Sequence, residues 1–201
     1  MMQDLGQGAE AVLTRVDGTV IKHRVVKEYR IAELDSKLRR SRQRREEKVI
    51  GTLSAAGVPV PSVLGTDEEK MTLTLSFIDG PKVRDVIEKS PLKYGAAIGR
   101  LLARMHRNGV AHGDPTTSNF IASGDLVYVI DFGLSFFTKK IEDYAVDLHL
   151  LRQVLSGTHT LVFEEAWQAA LDGYKEEWPE GVDVINRLEN KVEKRGRNKR
   201  R

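Results

Sequence analysis

The chain has 201 residues, 40% hydrophobic and 30% charged, the balance of a folded domain, which excludes a wholly disordered protein. It has no cysteine, so disulfides, thiolate nucleophiles and cysteine-based zinc sites are excluded, and a reducing, cytoplasmic setting is expected. The formal charge of +3 is uneven: residues 37–45, "KLRRSRQRR", and 194–201, "KRGRNKRR", carry six Lys/Arg each and no acid, leaving 20 basic against 29 acidic residues elsewhere, a pattern that points to a polyanionic partner.

The opening "MMQDLGQGAE" lacks the apolar segment of a signal peptide, and no window approaches the roughly 18 apolar residues of a membrane-spanning helix, so a soluble protein is expected. Strands are predicted over 9–15 and 19–24, joined by a hairpin turn at Asp17 and Gly18. Over 31–55, Leu34, Leu38, Val49, Ile50 and Leu53 recur at near-helical spacing, and Gly57 and Pro59 end that helix. Two more strands follow over 60–77 on either side of "DEEK", and Gly80 and Pro81 in "IDGPKV" mark a hinge. Beyond it, Tyr94, Ile98, Leu101, Leu102 and Met105 form one helical stripe that stops at Gly109. A loop, "VAHGDPTTSNF", leads into a hairpin turning at Gly124 and Asp125, and two further helices are signalled by Val146, Leu150 and Val154 and by Phe163, Trp167 and Leu171. The expected organisation is α+β: a strand-rich lobe over 1–79, a mainly helical lobe over 80–193, and a basic tail over 194–201.

Three features in fixed order fit phosphoryl transfer, which needs a phosphate cradle, a metal held by oxygens, and a carboxylate facing the acceptor. "LGQGAEAV" supplies small residues that admit phosphate oxygens to the backbone, with Gly6, Gly8, Ala9 and Glu10 as the ATP-facing candidates. Lys22, on the second strand, is placed to contact phosphates and to pair with an acid on the next helix; Glu46 and Glu47 are both available, and Glu46 is preferred. The more specific signal is Asp114 with Asn119 five residues on, the H-x-D-x-x-x-x-N spacing, followed by Asp131-Phe132-Gly133 after an apolar strand. In that scheme Asp114 is the base or orienting carboxylate, and Asn119 and Asp131 hold Mg2+, which favours a few hard oxygens plus phosphates. His112 is expected to pack beneath the loop, and Asp147 to brace the loop through its carboxylate.

Together these motifs resemble the protein kinase superfamily. More closely, "GAEA", "VIKHR", "KEYRIAELD", "AHGDPTTSN", "VIDFGLS", "EDYAVDL" and "RGRNKRR" resemble, in order, the kinase/ATPase subunit of the KEOPS complex, over nearly the whole chain. The resemblance implies a reduced two-lobed kinase fold that uses ATP and Mg2+. It also implies Ser/Thr autokinase activity, and ATP hydrolysis that supports formation of threonylcarbamoyladenosine in tRNA. The implied partners are the threonylcarbamoyl-transferase catalytic subunit, other KEOPS subunits and tRNA. The charge runs themselves point to the 194–201 tail as a tRNA phosphate contact, with Arg39, Arg40, Arg42, Arg44 and Arg45 either a second contact or a helix face near the nucleotide. Pro115 departs from the leucine usual at that point of the pattern. Only thirteen residues, 134–146, separate the DFG glycine from Asp147, and they contain no A-P-E, which leaves little chain for a peptide-docking platform. Two other readings compete: a small-molecule phosphotransferase of the aminoglycoside/choline kinase type, and a non-catalytic module that binds RNA or protein.

Overall fold

Antiparallel pairing organises the first third of the chain. The protein, a computed structural model that describes residues 2–7, 11–26, 29 and 31–192, opens with β1 (Met2–Gln7), β2 (Ala11–Val16) and β3 (Thr19–Arg24). With β4 (Val63–Asp67) and β5 (Thr72–Ser76) they form one sheet in the order β1-β2-β3-β5-β4. Asp17 and Gly18 both take positive φ, 43° and 81°, the twist that a two-residue hairpin needs between right-twisted strands. β1 was not expected. "QDLGQ" shows no apolar alternation, because an edge strand needs little burial to pair, and its one irregularity is a register shift between Asp4 and Gly6, where Gly6 takes φ 109°.

The long helix α1 (Ala32–Ala55) packs on this sheet through Val49, Ile50 and Leu53, each of which contributes roughly 1.5–3 kcal/mol by leaving water. Its buried stripe does not continue through Leu34, which is 51% exposed, nor fully through Leu38, which is half-buried. It runs instead through Asp35, Gln43 and Glu46, polar residues at helical spacing that an apolar-periodicity reading passes over. Two of them have visible polar partners: Gln43 Nε2 donates to the carbonyls of Asp67 and Thr72 (3.2 and 3.0 Å), although its Oε1 is buried with no hydrogen bond among the described residues, and Asp35 Oδ2 accepts from Arg39 Nε (2.6 Å).

After two short 3-10 turns, α2 (Pro91–Arg107) leads into β6 (Val110–Ala111), then the hairpin β7 (Phe120–Ser123) and β8 (Leu126–Val129). A short strand β9 (Phe136–Phe137) pairs back to β6, and α3 (Ile141–Thr158), α4 (Phe163–Glu177) and α5 (Val182–Arg187) follow. The helix expected from Val146, Leu150 and Val154 exists, but with a different face inward. Val146 is 41% exposed, while Tyr144, Leu148, Leu151 and Leu155 are buried, together with Asp147. α2 and α4 cross with almost no side chain between them. A Cβ on Gly99 would stand 1.9 Å from the Ala170 carbonyl oxygen, and one on Gly173 2.3 Å from that of Ala96. The sheet and the helical part share one apolar core, in which Val58, Leu73 and Leu75 meet Leu102, Phe120, Val129 and Phe132, and the Val129 N–H donates to the Pro59 carbonyl (2.9 Å).

Candidate active site

The loop between β6 and β7 is fixed from below by a single carboxylate. Asp147, on the second turn of α3, accepts the backbone N–H of His112 through Oδ2 (2.6 Å) and of Gly113 through Oδ1 (2.9 Å). Its Oδ2 also meets His106 Nε2 at 3.1 Å, and His106 Nδ1 meets the Tyr174 hydroxyl at 2.8 Å, with the imidazole stacked on Tyr144 at 4.5 Å. Burial raises the Asp147 carboxyl pKa, but its bonds to and attraction for His106, helped by His112 and the Gly113 N–H, outweigh that, and it stays below the usual carboxylate value. His112 is itself buried, and desolvation lowers its pKa despite the nearby carboxylates. The neutral ring has one tautomer that satisfies both neighbours: Nε2–H donates to the Ile130 carbonyl (3.3 Å), and Nδ1 accepts the Asp114 N–H (3.2 Å).

On that base the loop presents Asp114 and Asn119 side by side. Asn119 Nδ2 donates to both the Asp114 carbonyl (2.9 Å) and its Oδ2 (3.1 Å). The amide nitrogen is thereby committed, and the carbonyl end, Oδ1, is the one able to ligate a cation. Gly113 takes φ +81°, and a Cβ there would stand 2.6 Å from the Leu134 carbonyl oxygen, so the position directly before Asp114 is closed to any side chain. Pro115 is buried, and the surrounding bonds, Thr116 N–H to the Asp114 carbonyl (2.8 Å) and Asn119 N–H to the Thr116 carbonyl (2.9 Å), require no N–H from it.

Above the loop lies a cluster of charges drawn from three distant parts of the chain. Lys22 Nζ, on β3, donates to Glu46 Oε1 on α1 (2.7 Å) and to Asp131 Oδ1 (2.8 Å). Glu46, not Glu47, faces the lysine, and its second oxygen accepts from Arg24 Nη2 (2.5 Å). Lys22 is buried, and the loss of hydration lowers its pKa, but the two carboxylates reverse this and hold it above the usual lysine value. Asp131 is held below the usual carboxylate value: burial acts upward, and the attraction and bond of Lys22 act downward and win. Its side chain is 54% exposed, and its backbone sits at φ +62°, a left-handed conformation sparsely used by non-glycine residues and often kept at functional sites.

The structure therefore brings Lys22, Glu46 and Asp131 into one bonded group and Asp114 and Asn119 into another. Gly6 lies within β1 rather than in a loop, while Gly8, Ala9 and Glu10, with the 194–201 tail, fall outside the described residues. Of the basic run, Arg39 is bound to Asp35 (2.6 Å) and Arg44 to both oxygens of Glu68 (2.5 and 2.6 Å), so part of its charge is compensated internally. Sequence reasoning did not single out Arg24. The signal was available in "IKHR", since residues two apart on a strand share a face.

Known proteins resemble this chain in sequence and in fold. The RIO domain family matches residues 13–145. The KEOPS complex subunit Bud32 of Pyrococcus abyssi is 36% identical, aligned over all of this chain and 98% of its own length. The chain belongs to the Bud32 family of atypical serine/threonine kinases. A probable serine/threonine-protein kinase BUD32 homolog of Archaeoglobus fulgidus is 38% identical over 94% of this chain and 93% of that one. A probable bifunctional tRNA threonylcarbamoyladenosine biosynthesis protein of Methanocaldococcus jannaschii is 38% identical over 96% of this chain, which spans only 36% of that longer protein. Among solved structures, the Rio2 kinase-ADP/Mg2+-phosphoaspartate complex from Chaetomium thermophilum superposes with a TM-score of 0.66 at 16% identity, over 98% of this chain and 70% of that one. A choline/ethanolamine kinase family protein from Mesorhizobium loti gives 0.61 at 16% identity, over 86% and 69%. These likenesses establish the fold: a kinase-like sheet followed by a helical part.

Proposed function

We propose that this chain binds ATP and Mg2+ between a strand-rich lobe, 1–79, and a helical lobe, 80–193, and transfers or hydrolyses the terminal phosphoryl group in support of tRNA threonylcarbamoylation. The observation that carries the reading is the Lys22 ammonium bonded at once to Glu46 and Asp131, residues from three separate segments, above a loop that presents Asp114 and Asn119. In this reading Gly6, Gly8, Ala9, Glu10 and Lys22 face the nucleotide phosphates, and Glu46 fixes the direction of Lys22. Asp114 lies in the braced loop, where it orients the acceptor hydroxyl or water and takes up its proton.

The donor set fits Mg2+. Asp131 is half exposed with its carboxyl held ionised, and Asn119 offers Oδ1, two hard oxygens that leave room for water and phosphates. Among the described residues no group of three His, Cys, Asp or Glu could hold a metal ion. When bound, the ion would neutralise charge on the phosphates.

The KEOPS assignment rests on the names of the relatives, and with it come the partners: the threonylcarbamoyl-transferase catalytic subunit, other KEOPS subunits and tRNA, in the cytoplasm. β9 returns to β6 and α3 begins at Ile141, so the stretch after Gly133 is taken up by short pairing. That favours water, or a hydroxyl of the protein or its partner, over docked peptides as acceptor. For tRNA, the tail carries the larger share, because Arg39 and Arg44 are engaged with acids. Truncation after Glu193 is expected to weaken tRNA binding and flatten its dependence on salt; an unchanged salt slope removes the tail from the interface. The decisive assay is Mg-ATP turnover with and without tRNA and the catalytic subunit. Stimulation by both supports the proposal, whereas turnover indifferent to them yet strongly raised by a small alcohol identifies a small-molecule phosphotransferase.

A further inference from the structure

Glu46 is 1% exposed and carries a cation on each oxygen: Lys22 Nζ on Oε1 at 2.7 Å and Arg24 Nη2 on Oε2 at 2.5 Å. A buried carboxylate that loses its partner is strongly unfavourable, so one held by a single lysine would oppose any movement of that lysine toward a ligand. With two cations on separate oxygens, Lys22 can turn away while Glu46 stays compensated. Arg24 is placed for this by β3. It lies two residues beyond Lys22, on the same face, and opposite Ala11, directly after the glycine segment. Its main chain is anchored on both sides: its N–H donates to the Met71 carbonyl (3.0 Å), and its carbonyl accepts from Arg39 Nη1 (3.3 Å). Both cations also border the DFG turn, with Arg24 Nη2 and Lys22 Nζ 3.8 and 3.9 Å from where a side chain on Gly133 would begin. Among the ion pairs of the described residues, Lys22 and Arg24 face Glu46 and Asp131, with Asp131 and Lys22 on the side the nucleotide is proposed to occupy.

We propose that Arg24 is a positioning residue of this site: its guanidinium keeps Glu46 in place and charge-compensated when Lys22 is drawn from Glu46 toward the phosphates of a bound adenine nucleotide. The inference rests on the function proposed above. Arg24 acts through Glu46 and does not itself touch the nucleotide. An arginine suits the role because it remains charged at every relevant pH and its planar fork keeps its direction when a neighbour moves.

The test is a double-mutant cycle on the full chain, with wild type, Arg24→Met, Glu46→Gln and the double variant. The readout is the affinity for the fluorescent analogue mant-ADP, measured in EDTA and again in Mg2+, with the melting temperature recorded in parallel. Arg24→Met is expected to weaken mant-ADP about tenfold in both buffers, and to change affinity less than twofold when Glu46 is already glutamine. Wild-type affinity in Arg24→Met overturns the inference, and so does an undiminished tenfold loss in the Glu46→Gln background, which would make Arg24 a direct phosphate contact. If Arg24→Met does not fold, Arg24→Lys carries the test: it keeps the charge but loses the fork, and a two- to fivefold loss is expected, whereas wild-type affinity overturns the inference. Failure of the wild type to bind mant-ADP at all is a separate outcome, which removes the proposed function itself.

Discussion

Two buried polar clusters lie within this fold, and they are built on opposite plans. Beneath the loop, His106, His112, Asp147 and Tyr174 form a closed set, in which each group meets a protein partner and none faces solvent. Above it, Lys22, Arg24, Glu46 and Asp131 form an open set, enclosed at Glu46 but ending in a carboxylate that is 54% exposed. A closed network fixes a backbone, because removing any member strands a buried donor or acceptor. An open one keeps charges ready for exchange with a ligand. Rigid placement of Asp114 and the contact with phosphates proposed above would thus fall to different residues.

That division has measurable consequences. The largest is expected for Asp147→Ala, which removes the acceptor of two loop N–H groups and of His106. A loss of roughly 3–5 kcal/mol in urea unfolding is anticipated, and a loss below about 1 kcal/mol would mean that the lower cluster does not hold the loop. Gly113→Ala comes next, because it combines a left-handed φ with a contact of 2.6 Å to the Leu134 carbonyl. About 1–3 kcal/mol of stability and most turnover should go together.

The pH dependence follows from His112 and Asp147, whose pKa values are both lowered by folding. A histidine kept neutral by burial stabilises the fold fully above its ordinary value of 6.5, and this contribution declines as pH falls below it, because the unfolded chain takes up a proton that the native state refuses. Asp147 adds a second decline below its ordinary value of 3.8. Unfolding free energy should therefore drop between pH 7.5 and 5, with a slope of at most about 1.4 kcal/mol per pH unit from this one group, the melting temperature should fall with it, and His112→Asn should flatten the drop. The smallest stability effect is expected in the open cluster. Lys22→Met leaves Glu46 on Arg24 and Asp131 in water, so unfolding should change by less than about 1 kcal/mol while mant-ADP binding is lost. A large stability loss there would erase the distinction between the two clusters.

Much of this was legible in the sequence, for identifiable reasons. Asp114, Asn119 and Asp131 stand at a recognisable motif spacing, and the α2 stripe and the Asp17-Gly18 turn follow simple periodicity and φ rules. What escaped depended on partners distant in the chain. β1 pairs without burying an apolar face, α1 turns Asp35, Gln43 and Glu46 inward because each finds a polar partner, and α3 shows its core Asp147 rather than Val146. Gly99 and Gly173 carried no sequence signal, since their purpose is visible only once α2 and α4 touch. Arg24 was passed over because a second cation on a strand means little until the carboxylate it shares is in view.

The most direct measurement compares wild type with Asp114→Asn for Mg-ATP turnover in the presence of tRNA and the catalytic subunit, alongside mant-ADP binding. The expected result is turnover lower by at least about 100-fold, with nucleotide affinity within twofold of wild type, since in the proposed function Asp114 faces the acceptor and not the nucleotide. Equal turnover by the two proteins would contradict the assignment of phosphoryl-transfer chemistry to this loop.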